Sequence, residues 1–380
     1  MKKKTKLIFI VISIMAVVLT IIAILLFGED DSGVKGKSYG AAGGFFFAPE
    51  GVVVDDYRIQ FVDPVSSQTY LMCRIPNCNH EEGNEECEAR AYTNFSLIYD
   101  EKLYCFKTSA LNSEIWVREL AGNGESKFLT IPYRHTKRES IVVDGKLYCS
   151  VNEPLDDYGM ERSNAFFVEI NLETGEYRRL TEEEPYEDYK IKKIELYNGY
   201  LYYTCEVIMP EYYDKLDAAI GSASIELYDE AEKYKHILLH KVDLDTLEKT
   251  NCYNDEERYL LHGVCGEHLI LWDSFTGEIL AVNKYGEEKI IGKVEMQNRL
   301  SFYPVMGKYV VYEEDEKTLF VSVESGEKYE REIKSPGSII LYNETLDAIF
   351  TVISDYKGIY RIISVEDFIA GNYEDYKSFN

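Results

Sequence analysis

The chain has 380 residues, of which 67 are acidic and 41 basic, giving a formal net charge of −26. That excess of carboxylates argues against a nucleic-acid backbone as partner, since phosphate binding needs clustered Lys and Arg, and against resting on an anionic membrane surface. Tyrosine is abundant at 32 residues, and Tyr favours pleated, half-buried surfaces.

The N-terminus reads as a membrane anchor. Lys2, Lys3, Lys4 and Lys6 precede an apolar run from Leu7 to Phe27, broken only by Ser13 and Thr20. The run matches the roughly 20 residues that cross a bilayer. Lysines before it and Glu29, Asp30 and Asp31 after it place residues 1–6 in the cytoplasm and everything from residue 29 outside. A cleaved signal peptide is the competing reading, but its apolar core is usually about 7–15 residues and ends in small side chains. This run ends in Leu25, Leu26 and Phe27, so an uncleaved, single-pass signal anchor in the cell membrane is expected. Residues 28–44, with Gly28, Gly33, Gly36, Gly40, Gly43 and Gly44, suit a flexible tether.

Residues 45–380 read as one outward-facing domain. Its first unit carries Cys73, Cys78, His80 and Cys87 within fifteen residues. Three thiols and an imidazole at that spacing suit a tetrahedral Cys₃His zinc site. A disulfide is the rival, favoured by the outside location. Cys105, Cys149, Cys205, Cys252 and Cys265 fall in strands and read as small core residues. A four-ligand zinc would be structural, because it leaves no open position for chemistry.

The rest of the domain repeats one pattern, clearest at residues 140–181. Ile141 to Val143 run into Asp144-Gly145, and Leu147 to Val151 return. Asp-Gly between two β-rich runs is a strong hairpin signal, because both turn residues need positive φ. Phe166 to Asn171 make a third strand, and Glu173-Thr174-Gly175 turns into a fourth from Tyr177 to Leu180. Counterparts of Leu147 fall at Ile59, Leu103, Leu201, Leu269, Val310 and, less clearly, Leu346. The step is 44 residues from Ile59 to Leu103 and again to Leu147, and 68 from Leu201 to Leu269. Propeller blades repeat every 40–45 residues or so. A four-stranded sheet alone exposes both faces, and radial stacking buries them. The fold expected is therefore all-β: a β-propeller of seven four-stranded blades, with six or eight left open by degenerate first and last units.

Between the second and third units lie Arg134, His135, Lys137 and Arg138, a basic knot in an acidic chain, expected in an interblade loop. In a propeller such loops share a face with those joining second and third strands. The third unit's loop of that kind carries Asp157 and Glu161. The fourth unit's is an insertion at 206–235, with helical character from Tyr212 to Ala219 and from Ile225 to Tyr234. Insertions on one face of a repeat fold commonly mark the binding face, which makes Arg134, His135, Lys137, Arg138, Asp157 and Glu161 the candidate ligand residues. His236 and His240 read as ordinary strand residues. Residues 365–378 read as a short helix or a closing strand.

The basic N-terminus, single apolar helix, Gly-rich tether, Asp-Gly-Lys-Leu-Tyr turns and Cys73–His80 segment together resemble the membrane-anchored extracytoplasmic β-propellers with WD40-like or Tol-system-like repeats. Gly-His and Trp-Asp pairs do not punctuate the blades as they do in true WD40 repeats, Trp-Asp occurring once, at Trp272-Asp273. The resemblance implies the fold and the anchor; that group offers no established activity to carry over. Two functions fit. One is a non-catalytic module that binds or scaffolds a protein, peptide or glycan. The other is a cell-surface glycan hydrolase or lyase using acids such as Asp157 or Glu161 near Arg134 and His135, since glycosidases need only two well-spaced carboxylates.

Overall fold

The computed structural model describes most of residues 39–379; residues 1–38 and shorter stretches, among them 80–86, 155–164 and 295–307, lie outside the described residues. The expected anchor and most of the tether therefore lie outside them. Among the described residues no helix is long and apolar enough to cross a membrane. Residues 36–380 form one compact unit.

That unit is all-β, built of successive antiparallel sheets. The first run is β2 (Phe45–Ala48), β3 (Gly51–Asp55), β4 (Ile59–Asp63) and β5 (Gln68–Leu71). The second is β6 (Ser96–Tyr99), β7 (Lys102–Thr108), β8 (Ser113–Glu119) and β9 (Ser126–Ile131). The third is β10 (Arg134–Val143), β11 (Lys146–Asn152), β12 (Ala165–Asn171) and β13 (Tyr177–Arg179). The fourth is β14 (Tyr189–Tyr197), β15 (Tyr200–Ile208), β16 (Lys235–Asp243) and β17 (Lys249–Asn251). The fifth is β18 (Tyr259–Cys265), β19 (His268–Asp273), β20 (Glu278–Asn283) and β21 (Glu288–Lys293). Then come β22 (Tyr309–Glu314), β23 (Lys317–Ser322) and β24 (Lys328–Arg331), and lastly β25 (Ser338–Asn343), β26 (Ala348–Val352), β27 (Tyr360–Ser364) and β28 (Lys377–Phe379). Within each run, strands pair in chain order.

The core lies between consecutive sheets. Along a strand, successive side chains point to opposite faces, and here both faces are buried. Val142 joins the cluster of the first three sheets, whereas Ile141 and Val143 pack with Leu201, Tyr203 and Cys205 of the fourth. Leu239 meets Leu261, Leu269 and Leu271 across the fourth and fifth sheets. Val310 and Tyr312 face the fifth sheet's Trp272 and Ile279, while Val311, between them, faces Ile363 and Phe368. One strand thus serves two interfaces, as sheets stacked side by side require. The strands leading the third, fourth and fifth sheets, β10, β14 and β18, lie against one another in turn.

The turns come from local chemistry. Asp144 and Gly145 have φ of 49° and 74°, the two-residue turn expected. A second module recurs after the third strands. Asn171 Oδ1 accepts from the N–H groups of Glu173 and Thr174 at 2.9 and 3.0 Å, and Gly175 has φ 74°. Asp243 Oδ1 does the same for Asp245 and Thr246 at 2.9 and 2.8 Å. Asp273 repeats it for Phe275 and Thr276 at 2.8 and 3.1 Å, here between a second and a third strand. A short side-chain acceptor two residues ahead of the bend fixes such a turn without help from elsewhere.

Several expectations need correction. Ile59 sits in β4, third in its run and not second, because two strands already fit ahead of it. Tyr39–Ala42, expected in the tether, forms a strand, β1. It pairs Tyr39 with Val142 and Gly40 with Ile141 on β10, then Ala41 and Ala42 with Phe46 and Phe45 on β2. It thereby covers the open edge of β10, whose backbone groups would otherwise lack ladder partners. The first and third runs consequently join into one nine-stranded sheet. The insertion in the fourth run is shorter than read, since β15 continues to Ile208 and β16 begins at Lys235. It holds the helix Pro210–Ser222, with Pro in the first helical position, where its missing N–H is not needed. At the C-terminus a helix and a strand are both present. The helix Val365–Ala370 is capped by Ser364, whose side chain accepts from Asp367 N–H, and β28 follows.

Candidate functional site: a loop-bearing end and a thiol cluster

Of the candidate ligand residues, Arg134 and His135 lie at the start of the third sheet's first strand, and not in a loop. Arg134 to Glu139 belong to β10. Pro132 and Tyr133 make the bend, and the chain is already extended at Arg134. Arg134 Nε donates to the Ser109 carbonyl at 3.2 Å. Ser109 to Asn112 form the turn between second and third strands of the second sheet, closed by Ser109 Oγ, which accepts from Leu111 and Asn112 N–H at 3.1 Å each. An interblade link and a second-to-third-strand turn therefore meet at this end. Arg134 also pairs across the ladder with Asn152, where the loop carrying Asp157 and Glu161 departs.

His135 is buried, at 3% exposure. Its ring lies between Phe95 and Phe106, with centroids 4.6 and 4.7 Å away, and Nε2 lies 3.1 Å from Ser140 Oγ. The expected surface imidazole is thus an interior one, drawn in by two aromatic rings of the neighbouring sheet. Lys137 and Arg138 lie in β10, but their side chains lie outside the described residues, as do Asp157 and Glu161.

Sequence reasoning missed Arg179. Its guanidinium stacks on Phe166, 3.8 Å from the ring centroid. It reaches Glu153 at 3.5 Å, Glu182 at 3.4 Å and Glu183 at 4.0 Å. Three acids, Glu153, Glu182 and Glu183, are thus gathered about one cation. The pairing of Arg179 with Glu153 is not legible in the chain, because it joins residues 26 apart, Glu153 just after β11 and Arg179 on β13.

The link from the third to the fourth sheet holds a buried polar group. Glu184 Oε1 accepts from Tyr203 Oη at 2.6 Å, and Glu184 Oε2 accepts from Lys249 Nζ at 2.8 Å. His240 Nε2 lies 3.7 Å from the same oxygen. Tyr189 Oη donates to the Ala165 carbonyl at 2.6 Å, and Glu184 N–H donates to Tyr189 Oη at 3.2 Å. Burial, reinforced by the Glu184 carboxylate, pushes the Tyr203 hydroxyl well above its ordinary pKa. It therefore keeps its proton and can donate it to Glu184.

The second cluster is of sulfur. The Sγ atoms of Cys73, Cys78 and Cys87 all lie within 4.8 Å of one another, an arrangement that can hold a metal ion. Cys87 is buried, and Cys73 and Cys78 are half-buried. Burial raises the Cys87 pKa, the neighbouring thiols of Cys78 and Cys73 add to this, and the Ala89 backbone opposes it. His80, the expected fourth ligand, lies outside the described residues. All eight cysteines are thiols, and the described residues contain no disulfide. Cys105, Cys149, Cys205 and Cys265 are buried, as expected of core residues.

No family model matches this sequence, and no curated protein matches it. Solved structures do. One, from a study of two prolyl endopeptidases and the role of interdomain dynamics in their catalysis and specificity, aligns at a TM-score of 0.53 and 11% identity over 88% of this chain. This chain spans about half, 49%, of that structure's length. An oligogalacturonate lyase in complex with manganese aligns at 0.42 and 10% identity, over 70% of this chain and 74% of that one. TolB from Acinetobacter baumannii aligns at 0.34 and 10% identity, over 78% and 63%. At such identities the likeness is one of fold. Serial antiparallel sheets, most of them four-stranded, and the likeness in fold to the first of these structures define an all-β protein of the β-propeller type.

Proposed function

We propose that this chain is a membrane-tethered, extracytoplasmic β-propeller of seven blades, a non-catalytic module that binds a protein, peptide or glycan at the loop-bearing end. The observation that carries the reading is the convergence there of Arg134, the Ser109 to Asn112 turn and the departure of the Asn152 loop; the helical insertion follows the corresponding second strand of the fourth sheet. Three acids near that end support it too. Glu153, Glu182 and Glu183 are drawn to Arg179, whereas glycoside hydrolysis wants two carboxylates held roughly 5–10 Å apart across a scissile bond. Strand runs β2–β5, β6–β9, β10–β13, β14–β17, β18–β21, β22–β24 and β25–β28 supply the seven blades. Lys2 to Lys6 and the run Leu7 to Phe27 supply the anchor, with residues 45–380 outside the cell. A structural zinc on Cys73, Cys78, Cys87 and His80 completes the reading.

Glycan and peptide arrays, probed with residues 36–380, test this. Saturable binding with the ligand recovered intact is the expected result. Recovery of cleaved or unsaturated glycan would establish the hydrolase or lyase instead.

A further inference from the structure

We propose that Cys73, Cys78 and Cys87 bind one zinc-class divalent ion as a three-thiolate site, and that this ion staples the end of the first sheet to its third strand and to the second sheet. The inference rests on and deepens the structural-zinc part of the reading above, and is independent of the ligand-binding part.

The three positions are close for reasons other than a metal. Met72 N–H donates to the Ile59 carbonyl at 3.0 Å, and Cys73 N–H to the Leu71 carbonyl at 2.8 Å. These bonds place Cys73 at the foot of β4. Ile59 N–H in turn donates to the Ala89 carbonyl at 2.7 Å, which brings Cys87, two residues earlier, to the same strand end. Asn77, at φ 61°, turns the chain immediately before Cys78. From the second sheet, Arg118 Nη2 donates to the Met72 carbonyl at 2.6 Å. Two chain segments and a neighbouring sheet are thus fixed around one triangle of sulfur atoms.

The triangle has the size a metal needs. Tetrahedral zinc at about 2.3 Å from each sulfur sets the sulfurs about 3.8 Å apart. The observed separations, all within 4.8 Å, require only a small contraction. A disulfide needs about 2.05 Å between two sulfurs and strands the third. Thiolates are soft ligands that select zinc over calcium or magnesium. Binding one divalent ion by three thiols releases three protons and leaves a site of net charge −1, with one tetrahedral position left for a further ligand. Cys87 seals the inner side of the triangle, and half-buried Cys73 and Cys78 leave the approach for that fourth ligand.

The test uses the full chain, purified in detergent without chelator. Elemental analysis should give about one zinc per chain, and cobalt substitution should give a thiolate-to-metal charge-transfer band. Adding chelator should expose three further thiols to rapid alkylation, mapped to Cys73, Cys78 and Cys87. Hydrogen exchange at Ile59 and Met72 should quicken at the same time. Cys78→Ser should lose the metal, and Cys252→Ser should keep it. Should Cys78→Ser fail to fold, the chelator experiment on the native chain decides by itself. Metal-free protein with a mass deficit of two hydrogens and a disulfide among the three would overturn the proposal. So would a bound metal whose removal leaves these three thiols no more reactive. Neither result bears on the array binding, which reports the loop-bearing end.

Discussion

Tyr203 Oη, from the second strand of the fourth sheet, donates a 2.6 Å hydrogen bond to Glu184 Oε1, from the link leaving the third. Both side chains are buried, and the same carboxylate holds Lys249 of β17. The link is therefore fastened to the sheet it enters before that sheet's first strand begins. Tyr203→Phe keeps the ring's packing against Phe167 and His240 but removes the donor. A hydrogen bond to a charged group contributes about 1.5–3 kcal/mol, and chemical denaturation should show a loss of that size. A change below about 0.5 kcal/mol would mean that water replaces the hydroxyl.

Leu147 and Leu201 are both fully buried in second strands, as the repeat anticipates. Leu147→Ala should cost about 2–5 kcal/mol, the range for a well-packed leucine. Denaturant titration measures it directly, with the slope unchanged if the fold survives.

Gly277 has φ 77°, and a β-carbon there would lie 2.2 Å from the Val294 carbonyl oxygen. The obstruction is backbone, so no side chain can swing aside. Gly277→Ala should destabilise by more than about 1 kcal/mol. Gly286, at φ 79° with open space around it, should tolerate alanine better. Thermal melts of the two variants, side by side, make the comparison.

Arg178 forks onto Glu169, with Nε to Oε1 at 3.2 Å and Nη2 to Oε2 at 2.9 Å, and also reaches the Leu244 carbonyl of the next sheet at 3.1 Å. Burial alone would raise the Glu169 pKa, but the Arg178 hydrogen bonds, its charge and Lys146 outweigh this and hold the carboxyl below its ordinary value. A depressed carboxylate pKa means that the unfolded chain binds the proton more readily. The contribution is therefore present above the unfolded pKa of about 4.3 and is lost as pH falls through the lower folded value. Arg178→Met should flatten the acid limb of the stability profile below about pH 5. Denaturation midpoints between pH 3 and 7, for native and variant chains, test the sign.

The fold was legible where its causes are local. Asp144-Gly145 and the Asn171, Asp243 and Ser322 turns are set by residues two or three apart, so they can be read from the chain and reveal the repeat. Pairing across distance was not legible. Nothing in Tyr39 to Ala42 announces a partner at Val142, and the Gly-rich composition favours the tether reading. Arg134 to Arg138 were expected in a loop, but the strand resumes at Arg134, directly after the bend at Pro132 and Tyr133. His135 looked like a surface base beside arginines, because the rings that bury it, Phe95 and Phe106, come from another sheet. The thiol cluster was legible from spacing alone, but its tie to Arg118 was not, since that bond spans 46 residues.

If the seven strand runs close into a ring, as proposed, crystallography of residues 36–380 should show β25–β28 packed beside β2–β5. An open row of sheets, or two sheets packed face to face as a sandwich, would contradict it.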